Sequence, residues 1–252
     1  MSGLGLDLGS TTTKVVAVDR SGTLIWSALE PTDPRMAAQA ARLVADAREH
    51  APDAPVVATG YGRNLAGDAA RRVTEITCHA RGVFQALGHG GTLIDIGGQD
   101  SKVIVLAPGG RVVNFAMNDK CAAGTGRFLE VTAARLAMPI EDFATTALSA
   151  PAEVALSSTC TVFAESEMIS LIARGEPVER IVRGLHRSLI KRLVALTRSA
   201  GIRPPLMLSG GVALNPAIRA LLSEELGHPV LLPDHPQLMG AYGAALLALE
   251  GA

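Results

Sequence analysis

The sequence is poor in cysteine, in aromatic residues and in long apolar runs. Its 252 residues include only three cysteines and eight aromatic side chains. Cys78, Cys121 and Cys160 are odd in number and widely spaced, a pattern that matches neither a disulfide framework nor a CxxC metal site. The longest uncharged apolar stretch, residues 238–249, contains glycines and is too short to cross a bilayer. These absences exclude a disulfide-rich secreted domain and predict a protein without a membrane span.

The sequence also lacks an excess of charge of either sign. The 23 basic residues are balanced by 24 acidic ones, and no basic run occurs. Nucleic acids and anionic membranes attract concentrated positive charge, so the sequence predicts neither as a partner. The first ten residues contain Asp7 and no basic residue, unlike a secretory signal, and we expect a cytoplasmic location. The apolar fraction of 48% is sufficient for a buried core in one large or two small domains.

Glycine, by contrast, is abundant, and many of the 26 glycines belong to an internal repeat with an offset of 88 residues. The matching pairs are Asp7 and Asp95, Gly9 and Gly97, Lys14 and Lys102, and Gly22 and Gly110. Each copy begins with a strand, a polar or glycine-rich bend, a second strand, a glycine turn and a third strand, and then changes to helical spacing. The repeat predicts an α/β fold with domains at 1–90 and 91–252 and a hinge at 88–91 beside a cleft.

Helix and strand signals fill the rest of both halves. Asp33 and Pro34 predict the cap and the first residue of a helix that ends near residue 50. Further helices are predicted at 79–87, 125–137, 161–174, 178–200, 216–226 and 237–249, and further strands at 56–60 and 206–209. We leave open that the last helix packs back on the first domain.

The repeated Asp-x-Gly bend suits a phosphate chain with its metal. Backbone N–H groups in such a bend form an anion nest, and the carboxylate can hold Mg²⁺ through water. One bend alone would favour a hairpin turn with a polar tip, but two copies at a constant offset favour a nucleotide site. The predicted magnesium-side carboxylates are Asp7 and Asp95, and the predicted cradles are Gly9, Ser10, Thr11, Thr12 and Thr13 in the first half and Gly97, Gly98, Gln99 and Asp100 in the second.

Two glycine-rich helix starts are consistent with the same ligand. Glycines permit close approach of a phosphate or a flat ring, and the first turn of a helix offers free N–H groups. The alternative at each position is an ordinary turn. The residues concerned are Gly210, Gly211 and the predicted helix cap Asn215, and Gly124, Thr125 and Gly126. The Walker motif G-x-x-x-x-G-K-[ST] is absent from the sequence, so an ATP site has another design.

Four segments together resemble a known family. Residues 7–14 (DLGSTTTK), 95–102 (DIGGQDSK), 118–130 (NDKCAAGTGRFLE) and 209–215 (SGGVALN) are similar to motifs of BadF/BadG/BcrA/BcrD-type ATPases: the activators of 2-hydroxyacyl-CoA dehydratases and the ATPase subunits of benzoyl-CoA reductase. The first and last motifs are shared with actin, sugar kinases and Hsp70 chaperones. The segment around Cys121 and residues 157–160 (SSTC) are more specific to the activators.

The resemblance implies two ribonuclease H-like domains with MgATP or MgADP in the cleft between them. It also implies a homodimer with one bridging [4Fe-4S] cluster, a ferredoxin or flavodoxin as electron donor, and an iron–sulfur dehydratase or reductase as partner. Lys14, Glu130 and Gln237 join the predicted nucleotide site. Gln99 is the candidate for orienting the attacking water, with Asp7 and Asp95 as the other catalytic residues.

The same resemblance assigns Cys121 and Cys160 to the cluster. Each is predicted to precede a helix, at 122–137 and 161–174, and a helix N-terminus favours a thiolate. A cubane needs about four thiolates, so a twofold dimer would complete the set. From the residues alone, small buried hydrophobes are the better explanation of both cysteines, and the resemblance reverses this preference. Cys78 is interpreted as structural. His79 could face the nucleotide cleft, but a lone histidine at a helix start is more often a cap or a core residue, and we interpret it so.

Two other classes of function use the same fold. A small-molecule kinase, acting on a sugar or acyl substrate, would share the repeat but needs a catalytic carboxylate in a substrate pocket rather than two thiols. A chaperone-like assembly module would bind nucleotide without redox chemistry. An iron and sulfide assay separates these alternatives.

Overall fold

The computed structural model describes residues 2–157 and 160–251, which form a mixed α/β protein. Ser158 and Thr159, in the middle of the SSTC segment, lie outside the described residues. The chain divides into two compact units: residues 1–90, 106–113 and 233–252, and residues 91–105 and 114–232. The division into functional domains at 1–90 and 91–252 stays a prediction.

Both units contain a five-stranded sheet, and the two sheets have the same topology. The strand orders are β3-β2-β1-β4-β5 and β8-β7-β6-β9-β10, so each position in one sheet has a counterpart in the other. β1 and β6, Gly3–Leu8 and Gly91–Ile96, differ by the predicted offset of 88. The repeat is therefore confirmed in three dimensions. The other strands are β2 (Thr12–Val18), β3 (Leu24–Pro31), β4 (Val56–Thr59), β5 (Arg71–Arg72), β7 (Ser101–Leu106), β8 (Val112–Asn118), β9 (Leu206–Ser209) and β10 (Val230–Leu231).

The described α-helices follow the predicted order with one addition. They are α1 (Met36–Arg48), α2 (Glu75–Leu87), α3 (Gly126–Arg135), α4 (Ile140–Ser149), α5 (Thr161–Ala173), α6 (Val178–Ala200), α7 (Pro216–Leu226) and α8 (Met239–Glu250). The predictions for α6, α7 and β9 are confirmed at both ends. Helix α4 was not predicted, because its buried residues Phe143, Ala144 and Ala147 span little more than one turn.

Three predicted helix starts are wrong, because a local turn or cap sets the start in each case. The Asp33 carboxylate accepts the Arg35 N–H at 2.7 Å, which makes a turn outside the helix and delays α1 to Met36. Thr74 caps α2, so that helix begins at Glu75 rather than at 79. Helix α3 begins at Gly126, one residue after the predicted start at 125 and four after the start at 122 considered for Cys121. A short 3-10 turn, Pro236–Leu238, precedes α8.

The first unit shows why β1 alternates glycine and leucine. Leu4 and Leu6 are buried in the cluster that includes α1. On the opposite face, a Cβ atom at Gly3 or Gly5 would lie 2.4 Å or 1.9 Å from a backbone oxygen of α8. Since successive strand residues point to opposite faces, the strand presents large side chains to one helix and leaves room for the backbone of the other.

The second unit has one large apolar core. Residues of β6, β7 and β9 pack with helices α3 to α7 in a continuous cluster. The long helix α6 contributes its buried stripe, which includes Ile181, Leu185, Leu189 and Leu193 at helical spacing. The sheet and this helix hold the loops that follow β6, β8 and β9.

Candidate nucleotide site and cysteine residues

Asp7 lies at the end of β1 and is almost completely buried. Lys14 is its cross-strand partner on β2, and the ammonium Nζ is 3.3 Å from Asp7 Oδ2. Gly9 follows in the bend, where a Cβ would lie 2.7 Å from the Thr12 carbonyl oxygen and 3.2 Å from Lys14 Nζ. Position 9 therefore requires glycine. The Lys14 ammonium lies between the backbone of this bend and the Asp7 carboxylate.

Two further glycines lie against the carboxylate of Asp7. Gly60, at a φ of +91°, would bring a Cβ to 2.5 Å from Oδ1, and Gly240 would bring one to 3.1 Å from Oδ2. Neither was among the predicted site residues. The signal for Gly60 was its position after β4, which matches Gly210 after β9 in the second sheet. These two glycines let the backbone pack directly against the buried carboxylate, and a larger residue at Gly60 would collide with it.

The hydroxyl residues of the first bend differ in their contacts. Ser10 is exposed. The Thr11 hydroxyl is buried and has no hydrogen-bond partner among the described residues, so it fits a phosphate oxygen. Thr12 begins β2. Thr13 is fully buried and donates to Gln39 Oε1 at 3.0 Å, so its hydroxyl is used within the unit.

Asp95 is the counterpart of Asp7 in the second unit and is equally buried. Its Oδ1 accepts a hydrogen bond from the Ser209 hydroxyl at 2.8 Å, and its Oδ2 is 3.7 Å from Lys102 Nζ. The same ammonium donates to Asp100 Oδ2 at 2.6 Å. Lys102 and Ser209 were not in the predicted site set. The repeat carried the signal for Lys102, because it is the counterpart of Lys14.

The second bend is joined directly to the start of α3. The Gly97 N–H donates to the Asp100 carbonyl at 2.9 Å. The carbonyls of Gly97 and Gly98 accept the N–H groups of Gly126 and Arg127, both at 2.8 Å. These two donors at the helix start therefore hold the bend in place and are not directed at a ligand.

The remaining predicted nucleotide residues are distributed over both units. Gln99 is exposed in the second bend. Gly124 has a φ of +108°, and the Thr125 hydroxyl donates to a loop carbonyl at 2.7 Å. Glu130 forms an ion pair of 2.9 Å within its own helix. Gln237 belongs to the 3-10 turn before α8, in the first unit.

The glycine pair after β9 is held by a buried polar arrangement. Gly210 has a φ of +88°, and a Cβ there would lie 2.3 Å from the Ile96 carbonyl oxygen. Gly211 begins a 3-10 turn that ends before Asn215. Asn215 Oδ1 caps α7 as predicted, and its Nδ2 donates to His186 Nε2 at 3.0 Å. Both polar atoms of the Asn215 amide therefore form hydrogen bonds that hold this loop in place.

His186 is fully buried, with its ring 5.1 Å from that of Phe143. Its Nδ1 donates to the Val182 carbonyl at 2.8 Å, which leaves Nε2 as the acceptor for Asn215. Burial lowers the pKa of His186 to about 4, since a charged ring would lose its hydration. The neutral ring orients the Asn215 amide.

Acidification is expected to destabilise the protein through His186. The unfolded chain takes up a proton on this residue near pH 6.5, whereas the folded chain does so only at about 4. The free energy of unfolding should therefore fall by about 3 kcal/mol as the pH drops through this interval. Urea unfolding as a function of pH measures it, and His186→Gln should flatten the curve there. Parallel curves for the two proteins would contradict this account.

The three cysteines have different surroundings. Cys121 lies in the loop between β8 and α3, five residues before the helix, so its predicted place at the helix N-terminus is wrong. Its carbonyl accepts the Asn118 amide at 2.9 Å, and its Sγ is 3.8 Å from a guanidinium nitrogen of Arg192. Cys160 is the N-cap residue of α5, as predicted. Both thiols are half-buried.

Cys78 lies within α2 and is fully buried. Burial raises the pKa of its thiol to about 12, against a smaller opposite effect of the Thr59 hydroxyl. Such a thiol is protonated at neutral pH and is a poor metal ligand or nucleophile. Within residues 2–157 and 160–251, no group of three or more His, Cys, Asp or Glu side chains is arranged to hold a metal ion. In the same part of the chain, no helix has the length and apolarity needed to cross a membrane.

The fold is shared with ROK family sugar kinases. A ROK family glucokinase from Streptomyces griseus aligns with a TM-score of 0.62 over 100% of both chains, at 15% identity, which shows the fold alone. The α/β fold prediction is thereby confirmed. Residues 4–248 match the BadF/BadG/BcrA/BcrD ATPase family, and the chain belongs to that family of ATPases.

Named relatives cover nearly the whole chain. The 2-hydroxyisocaproyl-CoA dehydratase activator of Clostridioides difficile is 42% identical over 99% of this chain and 95% of its own. The (R)-2-hydroxyglutaryl-CoA dehydratase activating ATPase of Acidaminococcus fermentans is 41% identical over 99% and 97%. The solved structure of the Clostridium difficile activator with bound ADPNP aligns with a TM-score of 0.92 over 100% of this chain and 95% of the other, at 40% identity.

Proposed function

We propose that this ATPase is an activator that couples MgATP to one-electron transfer into a 2-hydroxyacyl-CoA dehydratase or a related reductase. The relatives with about 40% identity carry activator names, which supports the acyl-CoA dehydratase as partner class. The observation that carries the redox part is the pair of half-buried thiols, Cys121 and Cys160, in the same unit. The sugar-kinase alternative is supported only at the level of the fold.

The surroundings of the two thiols fit a [4Fe-4S] cluster. Arg192 places positive charge near Cys121 Sγ, and the N-terminus of α5 offers its partial positive charge to Cys160. Both features favour a thiolate and an anionic centre. The cluster, when bound, supplies one-electron chemistry at low potential. Each chain contributes two of about four ligands, so a second copy contributes the others.

The start of α5 supports a homodimer at this place. Val162 and Phe163 follow Cys160 directly and are 68% and 67% exposed. Large apolar side chains with this exposure are typical of surfaces that contact another protein. A second copy that shares the cluster would cover them.

In the nucleotide site, we assign the hydrated Mg²⁺ to Asp7 and Asp95. Lys14 lies beside the Asp7 carboxylate, and Lys102 lies beside that of Asp95. Both ammonium groups would donate hydrogen bonds to phosphate oxygens. The free Thr11 hydroxyl adds a further donor. A ferredoxin or flavodoxin is the proposed electron donor, and hydrolysis gates delivery to the partner enzyme.

Replacement of Gln99 by alanine is expected to slow ATP hydrolysis about a hundredfold and to leave MgATP affinity unchanged within about twofold. Gln99 is exposed in the second bend, so its loss removes the proposed water-orienting group without disturbing a core. Phosphate release and nucleotide titration measure the two quantities. Gln85→Ala, at an exposed position on α2, is the matched control. Hydrolysis at the parental rate by Gln99→Ala would refute the assignment.

A further inference from the structure

The loop that carries Cys121 lies against Arg192, a half-buried residue of α6. The guanidinium Nη1 is 3.8 Å from Cys121 Sγ, and it also donates to the Ala123 carbonyl at 3.4 Å. Gly124 lies next to the stem of the same side chain, since a Cβ there would be 3.7 Å from the Arg192 Cβ. One side chain of α6 therefore contacts the loop through a sulfur, a carbonyl and a glycine.

A second side chain supports the same loop without carrying a charge. The Asn118 amide donates to the Cys121 carbonyl at 2.9 Å and to the Ala123 carbonyl at 3.5 Å. Asn118 and Arg192 thus share the support of the loop backbone. They differ in that the guanidinium also brings a positive charge to the sulfur of Cys121.

A positive charge at this place affects the reduction of an iron–sulfur centre. The reduction potential of such a centre depends on its net charge, on hydrogen bonds to its sulfurs and on its exposure to solvent. An arginine guanidinium is permanently charged and has five N–H donors, so it stays cationic whatever other groups it binds. Because reduction makes the centre more negative, a cation beside a ligand sulfur stabilises the reduced form.

We propose that Arg192 raises the reduction potential of the cluster held by Cys121 and thereby favours its loading by the electron donor. This inference rests on the proposed function, which supplies the cluster. Loading adds one electron, which the reduced ferredoxin or flavodoxin gives up, and no bond forms or breaks. In a homodimer each copy contributes one such guanidinium to the shared cluster.

The test is a redox titration of the reconstituted full-length homodimer against mediators of known potential, without oxygen, followed by the visible absorbance of the cluster. Arg192→Met keeps an unbranched side chain and removes one positive charge from each copy. We expect the reduction equilibrium to become about tenfold less favourable, which corresponds to a midpoint potential about 59 mV lower. Arg192→Lys keeps the charge and should remain closer to wild type than to Arg192→Met.

Two controls separate the charge at the sulfur from other effects. Arg198→Gln removes an exposed positive charge in the last turn of α6 and should leave the potential unchanged. Asn118→Ala weakens the support of the loop without a change of charge, and its potential should stay near that of wild type. A shift in Asn118→Ala as large as that in Arg192→Met would mean that the loop backbone, and not the charge, sets the potential.

Further outcomes overturn the inference. Equal potentials in wild type, Arg192→Met and Arg192→Lys would show that the guanidinium does not influence the cluster. If Arg192→Met binds no iron, a lower potential in Arg192→Gln than in Arg192→Lys supports the inference, whereas loss of iron in all three variants would mean that Arg192 only holds the loop. A wild-type protein without iron after reconstitution would instead refute the proposed function itself.

Discussion

Cys121→Ala and Cys160→Ala proteins, purified without oxygen and reconstituted with iron and sulfide, are expected to contain no [4Fe-4S] cluster. Each substitution removes one thiolate from each chain, and hence two of about four ligands from a cluster shared by two copies. The wild-type protein should contain about four iron atoms per dimer. Iron and sulfide assays, with the visible absorbance of the cluster, measure the loss. Partner activation should disappear with the cluster, whereas nucleotide binding should remain.

Cys78→Ala is the matched control for this experiment. Cys78 is fully buried within α2, and the high pKa of its thiol keeps it protonated. We expect its removal to leave the iron content unchanged. Iron loss in Cys78→Ala, together with retention in the other two variants, would show that the wrong cysteines were assigned. A wild-type protein without iron after reconstitution would refute the electron-transfer function as a whole.

Gly243→Ala is expected to have the largest effect on stability. Its Cβ would lie 1.8 Å from the Cys78 carbonyl oxygen and 2.8 Å from the Gly82 nitrogen, both backbone atoms of α2. Alanine favours a helix over glycine by about 1 kcal/mol, but the clash requires two packed helices to separate. We expect the free energy of unfolding to fall by about 3 kcal/mol.

Urea unfolding monitored by circular dichroism measures this loss, with Gly67→Ala as the control. A Cβ at Gly67 meets no atom within 4 Å, so that variant should differ from wild type by less than about 0.5 kcal/mol. A Gly243→Ala protein as stable as wild type would show that α2 and α8 are not held in backbone contact in solution.

Much of the fold could be predicted because it depends on local patterns that occur twice. The 88-residue offset predicted two versions of one α/β unit, and the helical spacing in α6 predicted that helix with its limits. The start of α1 could not be predicted in this way. Asp33 and Pro34 are typical of a helix start, but a side-chain hydrogen bond of Asp33 makes a turn before the helix.

The candidate site likewise contains residues that the sequence predicted and residues that it did not. Asp7, Gly9, Asp95 and Gly97 were found because their spacing within a bend is itself the signal. Gly60 and Gly240 were missed because their role is defined only by an atom of Asp7 that lies far away in sequence. For His79, the sequence indicates a helix cap, a core residue or a ring that faces the nucleotide cleft, because its surroundings also depend on residues far away in sequence.

The sequence by itself determined the repeat, the two Asp-Lys pairs and the presence of two cysteines in motif-like segments, since these depend on residues close together in the chain. Tertiary structure decided which side chains meet. Helix α8 packs against β1 and α2, and its glycines allow close backbone approach, so that a Cβ at Gly240 would meet both His79 and Asp7. Such contacts depend on the absence of a Cβ at a particular point in space, which residue spacing alone does not encode.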